Sequence, residues 1–368
     1  MRLSRRHFIA GSSAGLAALA TGLPARAEGA AFAHKPGNWR KFEVRTTLSI
    51  ADAKGKSQAW IPIPAFTDES WTRPGETRVI STTGKATRVR DPKSGAEMLH
   101  VFWPEGEAAP AVEVISVFSA RDRAVDFTAP DKTVLSEAAR KFYTAATELL
   151  PTDGIVRETA LKITTGATSE LDKARRIYEW IVDNTFRDPK TRGCGTGDIA
   201  SMLKTGNLSG KCADLNALFV GLARASGLPA RDLYGIRVAP SQFGYKSLGA
   251  NSPTITKAQH CRADVFITGF GWVPVDPADV RKVVLEEPPG NLPVGDAKVA
   301  AARKALFGAW ETNWLAYNFA HDVALPGSTG PKLGFLMYPQ AETAGVRLDC
   351  LDPDNFRYTI KSKETTAI

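Results

Sequence analysis

The sequence predicts an α+β chain, with a β-rich N-terminal part followed by a helical stretch and a second group of strands. Three observations carry this. Between Phe42 and Phe127 apolar residues alternate with polar ones, the period of a half-buried strand. After Pro130 they recur three and four apart, the period of a helix face. Beyond the stop signal Gly227-Leu228-Pro229, short apolar runs return around Arg231–Val238, Arg262–Ile267 and Gly271–Val275. The 368 residues leave room for two or three domains, and 43% hydrophobic with 23% charged residues is an ordinary globular balance. A disordered, collagen-like or coiled-coil protein is excluded.

Residues 1–27 read as a cleavable export segment. Arg5-Arg6-His7-Phe8-Ile9 precedes a mild apolar run to Leu23 and an Ala25-Arg26-Ala27 site, the pattern of a twin-arginine signal. The apolar run is too short to span about 30 Å of hydrocarbon, so no stable membrane anchor is expected after cleavage, and a periplasmic location follows. The formal charge of +8 falls to +4 once Arg2, Arg5, Arg6 and Arg26 are set aside. No basic stripe remains to serve a nucleic-acid partner.

Residues 28–39 read as an unstructured lead-in. Region 40–130 should be a small β-sandwich: Phe42, Val44, Thr46, Leu48 and Ile50 alternate, and the runs Ala59–Pro64, Thr77–Thr82, Glu97–Trp103 and Val112–Phe118 follow, separated by turns such as Asp52–Gly55 and Asp91–Gly95. Region 131–310 should hold four helices, at Asp131–Leu150, Asp153–Ile163, Ser169–Asn184 and Lys211–Ser226, then the returning strands. Gly/Pro-rich residues 288–299 read as a surface loop, and Trp310 and Trp314 as interface or core. In the tail, 311–368, three short runs (Leu333–Tyr338, Val346–Cys350 and Phe356–Ile360) should complete the core or one sheet of the sandwich, the last two joined as a hairpin.

The candidate chemistry sits at Cys212, His260 and Asp276. Cys212 falls at the start of the fourth helix, where free N–H groups and the helix dipole favour a thiolate. Gly210 just before it would let a substrate carbonyl approach the backbone. His260 opens a strand and Asp276 closes the next, so a hairpin of the two would set base and orienter beside the thiol.

Around these residues the strings Gly210-Lys211-Cys212-Ala213-Asp214-Leu215, His260-Cys261-Arg262-Ala263-Asp264-Val265-Phe266 and Gly271-Trp272-Val273-Pro274-Val275-Asp276-Pro277, with the helix Ala174–Asn184 ahead of them, resemble the transglutaminase-like superfamily core over about residues 165–285. The resemblance implies a papain-like fold, a Cys helix packed on an antiparallel sheet, with Cys212 as nucleophile, His260 as base and then acid, and Asp276 as orienter; Asp279 is the weaker candidate. It implies an exported thiol enzyme acting on amide bonds of a peptide, protein or cell-wall peptide, a hydrolase rather than a crosslinking transamidase, since no calcium loop is present. A non-catalytic binding module on the same fold is the other class.

Two departures stand out. Cys261-Arg262 replaces the aromatic residue usual after the His, and no aromatic near Gly193-Cys194-Gly195 can serve as oxyanion donor, which leaves the Cys212 backbone N–H and a second donor that the sequence does not identify. No cofactor is implied, and the cysteine spacing does not support a metal site. Cys194 and Cys261 could pair as a disulfide near the cleft, Cys261 facing away from the Cys212 thiol by strand alternation. Cys350 reads as remote.

Overall fold

The computed structural model describes residues 32–352, 354 and 356–365; the export segment lies outside them. Residues 32–39 have no regular structure, yet they are anchored. The Phe32 ring centroid lies 4.3 Å from that of Tyr245 and the His34 ring 4.4 Å from Phe243. The lead-in therefore departs from the expectation of an unstructured segment, because two rings gain buried area there.

The β-rich part forms two antiparallel sheets. In the first, Arg40–Ile50 lies between Ala111–Ala120 and Phe356–Thr365, with Thr72–Thr82 beyond. In the second, Ser57–Ile63 lies between Glu97–Trp103 and Gln340–Thr343, with Lys85–Arg90 and Val346–Arg347 at the edges. Alternate residues of Arg40–Ile50 are buried. Its Leu48 and Ile50 share a core with Ile61, Val101 and Trp103 of the facing sheet, the arrangement of a β-sandwich.

The tail differs from expectation in two ways. It adds strands to both sheets rather than one, and Leu333–Phe335 pairs instead with His321–Val323. Val346–Arg347 and Phe356–Thr365 lie in different sheets, so the chain between them crosses over and forms no hairpin. Phe356–Thr365 covers the Arg40–Ile50 edge of the first sheet and Gln340–Thr343 the Ser57–Ile63 edge of the second, with Val346–Arg347 added outside the latter.

The second part packs helices on one antiparallel sheet of order Gly271–Val275, Gln259–Ile267, Ala230–Arg237, Trp314–Asn318. The nucleophile helix, Cys212–Ala225, is buried along its whole length between this sheet and the helices Gly154–Thr164 and Glu170–Asn184. Ser169 caps the latter, accepting the Asp172 N–H at 3.1 Å. The first helix is shorter than the spacing suggested. It runs Glu137–Thr144, because the Ser136 hydroxyl takes the Ala139 N–H and starts it late. Helices Ile199–Thr205, Pro277–Glu286 and Ala297–Ala305 were not expected. The last of these cuts the 288–299 loop short, with Val299 in the core. No helix among the described residues is long and apolar enough to cross a membrane.

Sandwich and catalytic sheet share two apolar clusters. Phe42, Val44 and Phe118 meet Ile236, Leu315 and Tyr317. Trp71 meets Trp310 and Trp314 at centroid distances of 5.5 and 6.3 Å, so both tryptophans fill the interface. Polar pinning lies beside them: fully buried Asp264 accepts from Arg231 Nε at 2.8 Å and from Arg123 Nη1 at 3.2 Å, and the Arg231 guanidinium lies 3.6 Å from the Trp272 ring centre. Removing one partner of such a buried group strands the other charges. Asp264→Ala should therefore lower the unfolding free energy by about 3–5 kcal/mol, read from the urea midpoint. Glu364→Ala, which opens the solvent-exposed pair with Arg40, should cost under about 1 kcal/mol.

Candidate active site

The start of the nucleophile helix is fixed by one carboxylate. Asp214 accepts the N–H groups of Lys211 at 2.9 Å, Thr196 at 3.0 Å and Gly197 at 2.9 Å, tying the 194–197 loop to the first helical turn. Ala213 N–H donates to the Cys194 carbonyl at 2.9 Å. Two glycines make room. A Cβ on Gly195, whose φ is +94°, would lie 1.8 Å from Asp214 Oδ2, and one on Gly210 would lie 2.4 Å from it. Gly210 thus clears space for the Asp214 side chain, not for a substrate carbonyl as the sequence suggested. With the N–H groups of residues 211, 213 and 214 all engaged, that of Cys212 has no acceptor among the described residues, and it points from the positive end of the helix.

Cys212 and His260 line one cleft of about 700 Å³ and are themselves 4% and 3% exposed. Gln259–Ile267 pairs with Gly271–Val275 as an antiparallel hairpin, and Asp276 follows directly as the cap of the helix Pro277–Glu286. His260 Nε2 lies 2.8 Å from Asp276 Oδ2, which leaves Nδ1 to face the thiol. The other Asp276 oxygen accepts from Asn216 Nδ2 at 3.2 Å and from the Asp279 N–H at 3.0 Å. The structure thus brings Cys212, His260 and Asp276 together. It also adds Asp279, whose Oδ2 is 3.4 Å from His260 Nε2, and Arg237, which grips Asp279 at 2.6 Å. Arg237 and Asn216 escaped the sequence reading. The Asp276-Pro277 pair, a capping residue with proline at the first helical position, was the available signal for the helix that presents both carboxylates.

The electrostatics follow from these contacts. Burial and Arg237 disfavour an imidazolium at His260, but Asp279, Asp276 and the Asp276 hydrogen bond outweigh them and push its pKa up to about 9. The Cys212 thiol is held well below the ordinary range, by contacts with the Cys194 and Cys261 thiols first and, against burial, by His260. Arg237 keeps Asp279 ionised, while burial and the Asp279 charge push Asp276 up. A thiolate–imidazolium pair is the resting state this arrangement favours.

The other cysteines correct two expectations. Cys194, Cys212 and Cys261 are free thiols in mutual contact. Cys261 does not face away from the nucleophile, because Asn216 Nδ2 binds the Cys261 carbonyl at 2.8 Å and holds the helix start against the peptide linking residues 260 and 261. Cys350 is not remote, since it lines the same cleft. Ligand atoms of His260, Asp276 and Asp279 lie within 4.8 Å of one another. A cation there would face Arg237 and Arg262, the latter 3.6 Å from Asp276, so the group fits an imidazole better than a metal.

Alkylation of Cys212 by iodoacetamide should stay nearly flat from about pH 8.5 to about pH 6, where an ordinary thiol loses about tenfold per pH unit. In His260→Ala the thiol pKa should rise and the reaction near pH 6 slow by about tenfold or more. Stopped-time labelling with intact-mass readout measures both.

A family model described as the transglutaminase-like superfamily matches residues 157–277, the span that contains Cys212, His260 and Asp276. A Haemophilus influenzae protein of uncharacterized function is 36% identical over 344 residues, 88% of this chain and 91% of that one. The crystal structure of a candidate cysteine protease from Cytophaga hutchinsonii aligns over 90% of this chain and 100% of its own, with 15% identity and a TM-score of 0.50, a likeness of fold. The periplasmic domain of TgpA from Pseudomonas aeruginosa aligns over 65% of this chain and 94% of its own, with 13% identity and a TM-score of 0.34. With the family model matched over residues 157–277 and a relative 36% identical along most of both chains, the chain belongs to the transglutaminase-like superfamily.

Proposed function

We propose that the protein is an exported thiol hydrolase that cleaves amide bonds through Cys212, His260 and Asp276. The observation that carries this is the buried His260–Asp276 hydrogen bond of 2.8 Å beside a thiol at an unoccupied helix N-terminus, within one cleft. The Cys212 thiolate adds to the amide carbonyl carbon, and the carbonyl π pair moves to oxygen, which the free Cys212 N–H receives. The His260 imidazolium gives its proton to the leaving amine as the C–N bond breaks, leaving a thioester on Cys212. Neutral His260 then takes a proton from water, whose oxygen attacks the thioester and releases the acid and the thiol. Asp276 holds the imidazole by Nε2, and Asp279, locked by Arg237, adds a second negative charge that supports the imidazolium.

An amine in place of water would give transamidation by the same intermediate. Hydrolysis is the favoured reading because the sequence has no calcium loop of the crosslinking kind. The paired arginines and Ala25-Arg26-Ala27 favour a periplasmic site of action. A binding module that had lost catalysis would gain nothing from keeping an imidazole charged by two carboxylates.

With a fluorogenic peptide amide, Cys212→Ala and His260→Ala should each lose roughly 10⁴-fold or more in kcat. Asp276→Asn should remain folded and lose roughly one to two orders of magnitude less. Full turnover by Cys212→Ala would overturn the reading. A product ratio that shifts to the amide when an alkylamine is added would favour transamidation.

A further inference from the structure

The walls of the cleft carry six cationic side chains, those of Arg187, Arg192, Lys211, Arg237, Lys257 and Lys282, and no Asp or Glu. The chain as a whole is near balance, with 47 basic and 39 acidic residues, so this segregation is local. Four of the six are matched from behind. Arg237 pairs with Asp279 at 2.6 Å, Arg192 with Asp349 at 2.5 Å, and Arg187 with Glu286, which Lys282 also reaches at 3.7 Å. Lys211 and Lys257 have no carboxylate partner among the described residues. Both line the cleft close in sequence to the chemistry: Lys211 directly precedes Cys212 at the positive end of its helix, and Lys257 stands three residues before His260.

We propose that the acyl donor is an acidic peptide, with a carboxylate one or two residues from the scissile amide seated between Lys211 and Lys257. The inference rests on Cys212 being the acylated nucleophile. Since thiolate and imidazolium cancel, and the Asp214 carboxylate offsets the helix end, the excess charge a ligand meets is that of the two lysines. A walled cleft focuses such a field and raises the arrival rate of anions by ten- to a thousandfold. The apolar floor supplied by Ile255, Phe356 and Tyr358 suits the aliphatic stem of a Glu side chain. A volume of about 700 Å³ holds a few residues rather than a folded surface.

The test uses three peptidyl acyloxymethyl ketones on one N-acetylated scaffold, carrying Glu, Gln or Lys beside the reactive carbonyl. Second-order inactivation rates are followed by intact mass at low and high salt, with the labelled residue identified by digestion. The Glu probe should react on the order of tenfold faster than the Gln probe at low salt, and the Lys probe more slowly than either. High salt should narrow the gap, and Lys257→Glu should close or invert it. Equal rates for all probes, or a preference untouched by salt and by Lys257→Glu, would overturn the inference while Cys212 remains labelled. Absence of label on Cys212 from every probe, in protein with unchanged circular dichroism, would instead overturn the thiol-enzyme reading and the inference with it.

Discussion

Everything at the site depends on where the nucleophile helix begins, and Asp214 sets that point. Its carboxylate gathers three backbone N–H groups from two separate segments, the 194–197 loop and the residue before the helix. A carboxylate that accepts several backbone donors is a strong clamp, since each bond is charge-assisted. The clamp consumes the Lys211 N–H, the Cys194 carbonyl takes that of Ala213, and the N–H of Cys212 between them is left without an acceptor among the described residues. Asn216, one turn later, repeats the device by tying the helix to both the Cys261 carbonyl and Asp276. Cys212, His260 and Asp276 come from three elements. These two side chains of a single helix bring them into register.

The buried ions around His260 form a balanced set. Arg237 and Arg262 oppose Asp279 and Asp276, with the imidazole between them. Burial alone would drive His260 neutral, and the two arginines would reinforce that. Close carboxylates reverse the outcome because an ion pair held at hydrogen-bond distance in a dry site gains more than the desolvation it costs. The same logic explains why Asp279, further from the ring than Asp276, still matters: Arg237 keeps it ionised, so its charge is permanent.

Much of this was legible in the sequence. Alternation in Arg40–Ile50 and the Gly-Leu-Pro stop after the nucleophile helix are local signals, and local signals survive without a partner in view. That Cys212, His260 and Asp276 come close together was legible because each stands near an element boundary and the strings around them resemble one family core. What failed was set by side-chain and edge contacts that no local pattern announces. The role of Gly210 depends on the Asp214 side chain, the facing of Cys261 depends on Asn216, and the tail strands depend on which sheet edge lies open. The first helix fell short for a different reason: a serine cap competes with periodicity, and the cap prevailed.

The placement of the last strand has a consequence for how the protein folds. Phe356–Thr365 pairs along almost the whole of Arg40–Ile50, and its Phe356 and Tyr358 also line the cleft. Arg40–Ile50 therefore gains its second neighbour, opposite Ala111–Ala120, only when a segment from beyond the whole helical part reaches it. Contacts of such sequence separation are slow to close. Until they do, a chain that already holds Cys212, His260 and Asp276 lacks Phe356 and Tyr358 from the lining of its cleft. Closing the sandwich sheet and completing the cleft are thus the same event.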